Sequence, residues 1–89
     1  MIYWKNYSDK TTGVRGIAIV YNTYEAYKHS HPVEEEYDII YGNAILHIDD
    51  ESKIISAPYK IWIPANVVHA LKPISPFVII KYYFPKGEF

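Results

Sequence analysis

Apolar positions in this chain recur in short runs, alternating or continuous, separated by glycine, proline and small polar clusters. In Ala44-Ile45-Leu46-His47-Ile48, for example, Ala44, Leu46 and Ile48 fall on one side of an extended backbone, and Ile45 and His47 fall on the other. On this pattern strands are expected at about 2–6, 15–21, 24–30, 36–41, 43–48, 53–57, 60–64, 67–72 and 77–84. No segment carries apolar residues at the i, i+3, i+4, i+7 spacing over the length that a helix needs. Breaks fall at Gly13, Gly16, Pro32, Gly42, Pro58, Pro64, Pro73, Pro76 and Pro85. Asp49-Asp50-Glu51-Ser52 reads as a polar hairpin turn. Asn66, after Pro64-Ala65, sits where a turn calls for the left-handed conformation that Asn tolerates. Regularly spaced short strands with turn signals between them predict an all-β sandwich or barrel with almost no helix.

Composition supports strands. Of 89 residues, 49% are apolar, with ten tyrosines, fourteen isoleucines and two tryptophans, and β-branched and aromatic side chains fit a pleated, half-buried surface. Residues 1–89 are expected to form a single domain, whose small size makes its core marginal. Net charge is −1 and Arg15 is the sole arginine, so there is no clustered basic face for nucleic acid. The absence of cysteine excludes disulfides, thiolate metal sites and cysteine nucleophiles. Met1 to Lys10 lacks the apolar core of a signal peptide. No run approaches the roughly 20 apolar residues of a membrane helix. A cytoplasmic protein without a membrane partner is the expectation.

Candidate chemistry centres on the histidines. His29 and His31 are two apart, which on a strand sends both imidazoles to one face. Glu35 follows across the turn begun by Pro32, with Glu34 and Glu36 beside it. Imidazoles with a carboxylate suit Mn, Fe, Co, Ni or Zn rather than an all-oxygen calcium site. Alternation along the next segment groups Glu35, Tyr37, Ile39 and Tyr41 on one face, read as the interior, with Asp38 outside. Tyr27 shares the face of His29 and His31, so Tyr27, Tyr37 and Tyr41 are candidate pocket and catalytic residues. Trp62 is expected to pack in the core, and His47 to point outward from its strand.

These spacings resemble those of the cupins. The first cupin motif, G-x5-H-x-H-x3,4-E-x6-G, is matched by His29-Ser30-His31, Glu35 and Gly42. The second, G-x5-P-x-G-x2-H-x3-N, is matched by Pro64-Ala65-Asn66-Val67-Val68-His69. Residues 41–51 resemble the hairpin that joins the motifs, and the likeness covers about residues 15–84. The sequence departs at the opening glycine of the first motif, which falls on Thr23. In the second motif, the opening glycine falls on Pro58, the internal glycine on Asn66 and the final asparagine on Pro73. The resemblance implies a cupin-type β-barrel, also called a double-stranded β-helix or RmlC-like jelly roll. It also implies one divalent transition metal ion held by His29, His31, Glu35 and His69. Glu36 remains an alternative carboxylate: it fits the longer spacing from His31 but not the six residues before Gly42, whereas Glu35 fits both.

The resemblance further implies a small metalloenzyme acting on a small organic molecule, by dioxygenase, isomerase, decarboxylase or epimerase chemistry. The alternative is a non-catalytic module that binds or senses a small ligand or sugar. A homodimer is expected, formed through the apolar segments Ile2-Tyr3-Trp4 and Phe77-Val78-Ile79-Ile80.

Overall fold

A computed structural model of the chain describes residues 2–6, 13–23 and 28–85. Eight strands run through them: β1 (Ile2–Asn6), β2 (Val14–Tyr21), β3 (Glu35–Tyr41), β4 (Asn43–Ile48), β5 (Glu51–Ser56), β6 (Tyr59–Ile63), β7 (His69–Pro73) and β8 (Phe77–Phe84). They form two antiparallel sheets, one in the order β1-β2-β8-β3-β6 and the other β5-β4-β7. There is no helix among the described residues. Eight of the expected strands are present, with ends that match or shift by at most two residues. The expected strand at 24–30 is described only from residue 28, and there it makes a single bridge, His29 opposite His69.

Period-two alternation decides which side chains meet between the sheets. Along β2, Val14, Gly16, Ala18 and Val20 are buried while Arg15, Ile17 and Tyr21 are exposed. Along β8, Val78 and Ile80 point in and Lys81 points out. From the facing sheet come Ala44, Leu46, Ile55 and Leu71, and with Ile39 these close the core. Each buried valine, leucine or isoleucine among them is worth about 1.5–3 kcal/mol.

The chain passes from one sheet to the other at Gly42, between β3 and β4. Gly42 has a φ of +92°, and a Cβ there would lie 2.6 Å from the carbonyl oxygen of Phe77. Asn66 has a φ of +66°, so it supplies the left-handed turn that the motif's glycine would otherwise make. Its N–H donates to the carbonyl of His31, which ties the β6–β7 turn to the histidine-bearing loop. That turn extends further than the apolar pattern implies. Val67 and Val68 lie outside β7 because their carbonyls accept from the His69 ring and from the Asp49 N–H.

Two inward assignments are overturned. Tyr41 is 52% exposed and stacks on Phe77, with ring centroids 5.0 Å apart. The pairing of β3 with β8 slips between Ile39 and Tyr41, and such a bulge reverses the facing of residues beyond it. Trp62 also lies outside the core, because Ile61 and Ile63 take the inward positions on β6. A third expectation fails in part. β1 is an edge strand, but β8 lies at the centre of the large sheet, between β2 and β3, so Phe77-Val78-Ile79-Ile80 offers no free edge.

Candidate metal centre

Two stretches of backbone bring the imidazoles together. His29 and His31 flank Ser30 on the loop before β3, His69 opens β7, and the N–H and carbonyl of His29 pair with those of His69. Each of the three rings offers a nitrogen, and these nitrogens lie within 4.8 Å of one another. Glu35, the first residue of β3, points at the same spot. Its Oε1 is 3.2 Å from His31 Nε2 and 3.6 Å from His69 Nε2. Glu36, on the opposite face, is 3.9 Å from Lys60 Nζ.

Hydrogen bonding at the far side of two rings fixes their tautomers. His31 Nδ1 donates to the carbonyl of Val33 and His69 Nδ1 to that of Val67, both at 2.9 Å. A carbonyl can only accept, so each Nδ1 carries a proton and a neutral ring turns the lone pair of Nε2 toward Glu35. His69 is 1% exposed, Glu35 5% and His31 8%. Neither Glu35 Oε1 nor His69 Nε2 has a hydrogen-bond partner. A buried carboxylate oxygen facing imidazole lone pairs is costly unless something positive lies between them, and a proton or a metal ion satisfies that requirement. The donor set, three imidazole nitrogens and a carboxylate oxygen, fits a divalent transition metal. For the protonated state, burial disfavours the His69 cation, but the Glu35 carboxylate and the Val67 carbonyl outweigh it and hold its pKa above the usual value.

The cluster opens into a cavity of about 300 Å³ bordered by His29, Glu35 and Tyr37. The Tyr37 ring lies 5.9 Å from that of His69. Tyr41 does not border the cavity, since it stacks outside the sheet. Tyr27 lies outside the described residues. His47 is away from the cluster on β4, its Nδ1 2.6 Å from Ser52 Oγ. Arg15 faces outward with its guanidinium over the Tyr83 ring. Sequence reasoning missed the aliphatic walls of the cavity and, beside Tyr37, its aromatic ones: Trp4 on β1, and Tyr82 and Phe84 on β8. Period-two alternation puts Tyr82 and Phe84 on the face of Val78 and Ile80, so β8 did carry the signal. Trp4 carried none, because only the pairing of β1 with β2 brings it there.

No protein-family model matches the sequence, and no curated protein matches it. Solved structures do match its fold. An RmlC-like cupin family protein with a double-stranded β-helix fold from Methanocaldococcus jannaschii superposes with a TM-score of 0.83 at 14% identity, covering 96% of this chain and 80% of that one. A conserved protein of unknown function from Streptococcus pyogenes gives 0.79 at 20% identity, covering 94% and 74%. Hydroxypropylphosphonic acid epoxidase from S. wedmorenis, in complex with fosfomycin, gives 0.80 at 12% identity, covering 93% of this chain and 50% of the enzyme. With two antiparallel sheets, no described helix and these neighbours, the chain is a small all-β domain with the cupin fold.

Proposed function

We propose that this protein is a metal-binding cupin, with one divalent transition metal ion held by His29, His31, Glu35 and His69, and that it acts on a small organic molecule. The observation that carries the reading is the pair of buried atoms without partners, Glu35 Oε1 and His69 Nε2, aimed at one point beside two further imidazoles. A bound metal would supply Lewis acidity toward a ligand oxygen, or a site for redox chemistry of the dioxygenase type. Four protein donors leave up to two octahedral positions open, as catalysis needs. The chain's own residues set the rest. The carbonyls of Val33 and Val67 hold the rings in one tautomer and orientation. Tyr37 places a ring beside the cluster on its cavity side. An enzyme among the structural neighbours, the epoxidase, is in keeping with catalysis on this fold, but function lives in the site and not in the fold.

Metal content and turnover test this reading. Wild-type protein is expected to take up one equivalent of metal, and Glu35→Gln to bind it at least tenfold more weakly. Glu36→Gln, whose parent side chain faces Lys60, is expected to leave affinity unchanged. Equal affinities in the two variants would remove Glu35 from the site. Loading with Fe, Mn, Ni, Co or Zn should give turnover of a catechol, diketone or keto acid under at least one metal, lost in His69→Ala. Ligand binding without turnover under every metal would make the protein a binding module.

We propose a homodimer as well. Across the outer face of the large sheet, Tyr3 packs edge-on to Tyr21 at 6.1 Å, Tyr21 meets Phe77 at 6.0 Å, and Tyr41 stacks on Phe77. An exposed aromatic stripe ending at an open edge strand is the kind of surface that a second copy covers. Light scattering should give twice the 10.4 kDa chain mass, and Tyr3→Glu with Tyr41→Glu should halve it. A monomer in the wild type would contradict the proposal.

A further inference from the structure

We infer that the cavity beside the histidine cluster selects a ligand with one polar, metal-seeking head and an uncharged apolar body, not a sugar, a phosphoester or a dicarboxylate. This rests on the metal-binding reading above. The walls carry the argument. Trp4, Val20, Leu71, Ile80 and Phe84 line the space, which is open to solvent on the Trp4 side, and no lysine, arginine, serine, threonine, asparagine or glutamine borders it among the described residues. Two of its polar groups, His29 and Glu35, belong to the proposed ligand set. A third, the Tyr82 hydroxyl, already donates to Asn6 Oδ1, and the remaining polar side-chain groups on the described walls are the Tyr37 hydroxyl and the Trp4 indole N–H, fewer than the hydroxyls of a sugar. A sugar entering here would give up water at several hydroxyls without replacement, a cost of roughly 1–3 kcal/mol for each unpaired group. Among the described residues no lysine or arginine borders the space to meet a phosphate or second carboxylate, and Arg15 stacks on Tyr83 on the outer face, with Lys81 also outward. An apolar body gains instead. Trp4 and Ile2 face the cavity side of β1, yet Trp4 is 63% exposed and Ile2 40%. A chain laid across them would take that surface out of water.

Two small residues shape the space. Ala18 is opposite Trp4 in the β1–β2 register, so the wall is thin there. Gly16 has no side chain where the Tyr82 ring lies, and a Cβ would run into that ring. Tyr82 can therefore lie flat against β2 and leave the cavity open. At about 300 Å³, the space is far larger than a single water needs and has room for an organic ligand.

Alkyl hydroxamates are suitable probes, since one metal-binding head is kept while the tail grows. Zinc-loaded Trp62→Phe protein leaves Trp4 as the one tryptophan, because Trp62 is on the outer face. Octanohydroxamate is expected to bind at least tenfold more tightly than acetohydroxamate, since each buried methylene is worth up to about fourfold, and to change Trp4 emission. Oxalate, with no tail, should leave that emission unchanged. Ala18→Leu should weaken octanohydroxamate at least tenfold without altering acetohydroxamate affinity or zinc stoichiometry. The two-hydroxamate comparison needs no cavity variant, so it stands even where Ala18→Leu folds poorly. Equal affinity for both hydroxamates in zinc-loaded protein overturns this inference and leaves the metal reading intact. Failure to bind zinc overturns the metal reading. In that zinc-free protein, a change in Trp4 emission on adding 1-octanol still supports the apolar body, and no change overturns it.

Discussion

Replacing His69 by alanine is expected to abolish the rise in thermal midpoint that excess divalent metal gives the wild-type protein. Metal held at a thousand times its dissociation constant stabilises the folded state by about 4 kcal/mol. In a domain of this size that corresponds to on the order of 20 °C. His69 is fully buried, so His69→Ala also loses packing. His29→Ala is the companion variant, since His29 is exposed and its loss should leave the metal-free midpoint nearly unchanged while removing the shift. A full metal-induced shift in either variant would place the ion elsewhere. The pH dependence has two opposed parts. Imidazoles must be neutral to coordinate, so the shift should shrink as pH falls below about 6. Without metal the trend reverses. The His69 pKa is raised in the folded state. Its protonation therefore contributes stability that is fully present below the unfolded value of about 6.5, and that is lost as pH rises through the higher folded value. Metal-free protein should thus lose stability on going from acid to neutral pH, where the metal-loaded form gains it.

The second large effect is expected at the crossing between the sheets. Gly42→Ala forces a side chain onto a backbone with φ of +92° and puts its Cβ 2.6 Å from the Phe77 carbonyl and from Ser75 Oγ. Backbone strain costs about 1–3 kcal/mol and overpacking about the same again. The total of about 2–6 kcal/mol is a large part of the stability of a domain this small. Ser75→Ala added to Gly42→Ala removes one clash, but the dihedral and the carbonyl contact remain. The double variant should therefore recover little of the lost urea midpoint. Near-complete recovery would mean that the serine contact carries the effect and the dihedral does not.

Most of the fold is legible in the sequence because strand alternation is a local property. β2, β4 and β8 write their inward faces directly into the order of their residues, and the two motif spacings mark Gly42, Asn66 and the four proposed ligands. Alternation fails where something non-local intervenes. Counting twos from Glu35 assigns Tyr41 inward, but a slip in the pairing of β3 with β8 turns it out. For Trp62, aromatic bulk suggests core, but Ile61 and Ile63 hold the inward positions on that strand. Trp4 reaches the cavity through pairing with a strand that lies about a dozen residues away in sequence, and no pattern within β1 shows it. Spacing favours Glu35, which fits both motif intervals, over Glu36, which fits one. The structure puts the first beside two imidazoles and the second beside Lys60.

The site is built unevenly, and that asymmetry bears on how fast it exchanges its contents. His69, Glu35 and His31 are buried in the interior, whereas His29 is exposed and pairs with the sheet, among the described residues, through the isolated bridge to His69. Local opening of such a bridge costs far less than global unfolding. On the proposed ligand set, His29 is then the last donor to engage and the first to let go. A chelator should strip the native protein through this side at a rate set by the His29 segment, and reloading should require no refolding.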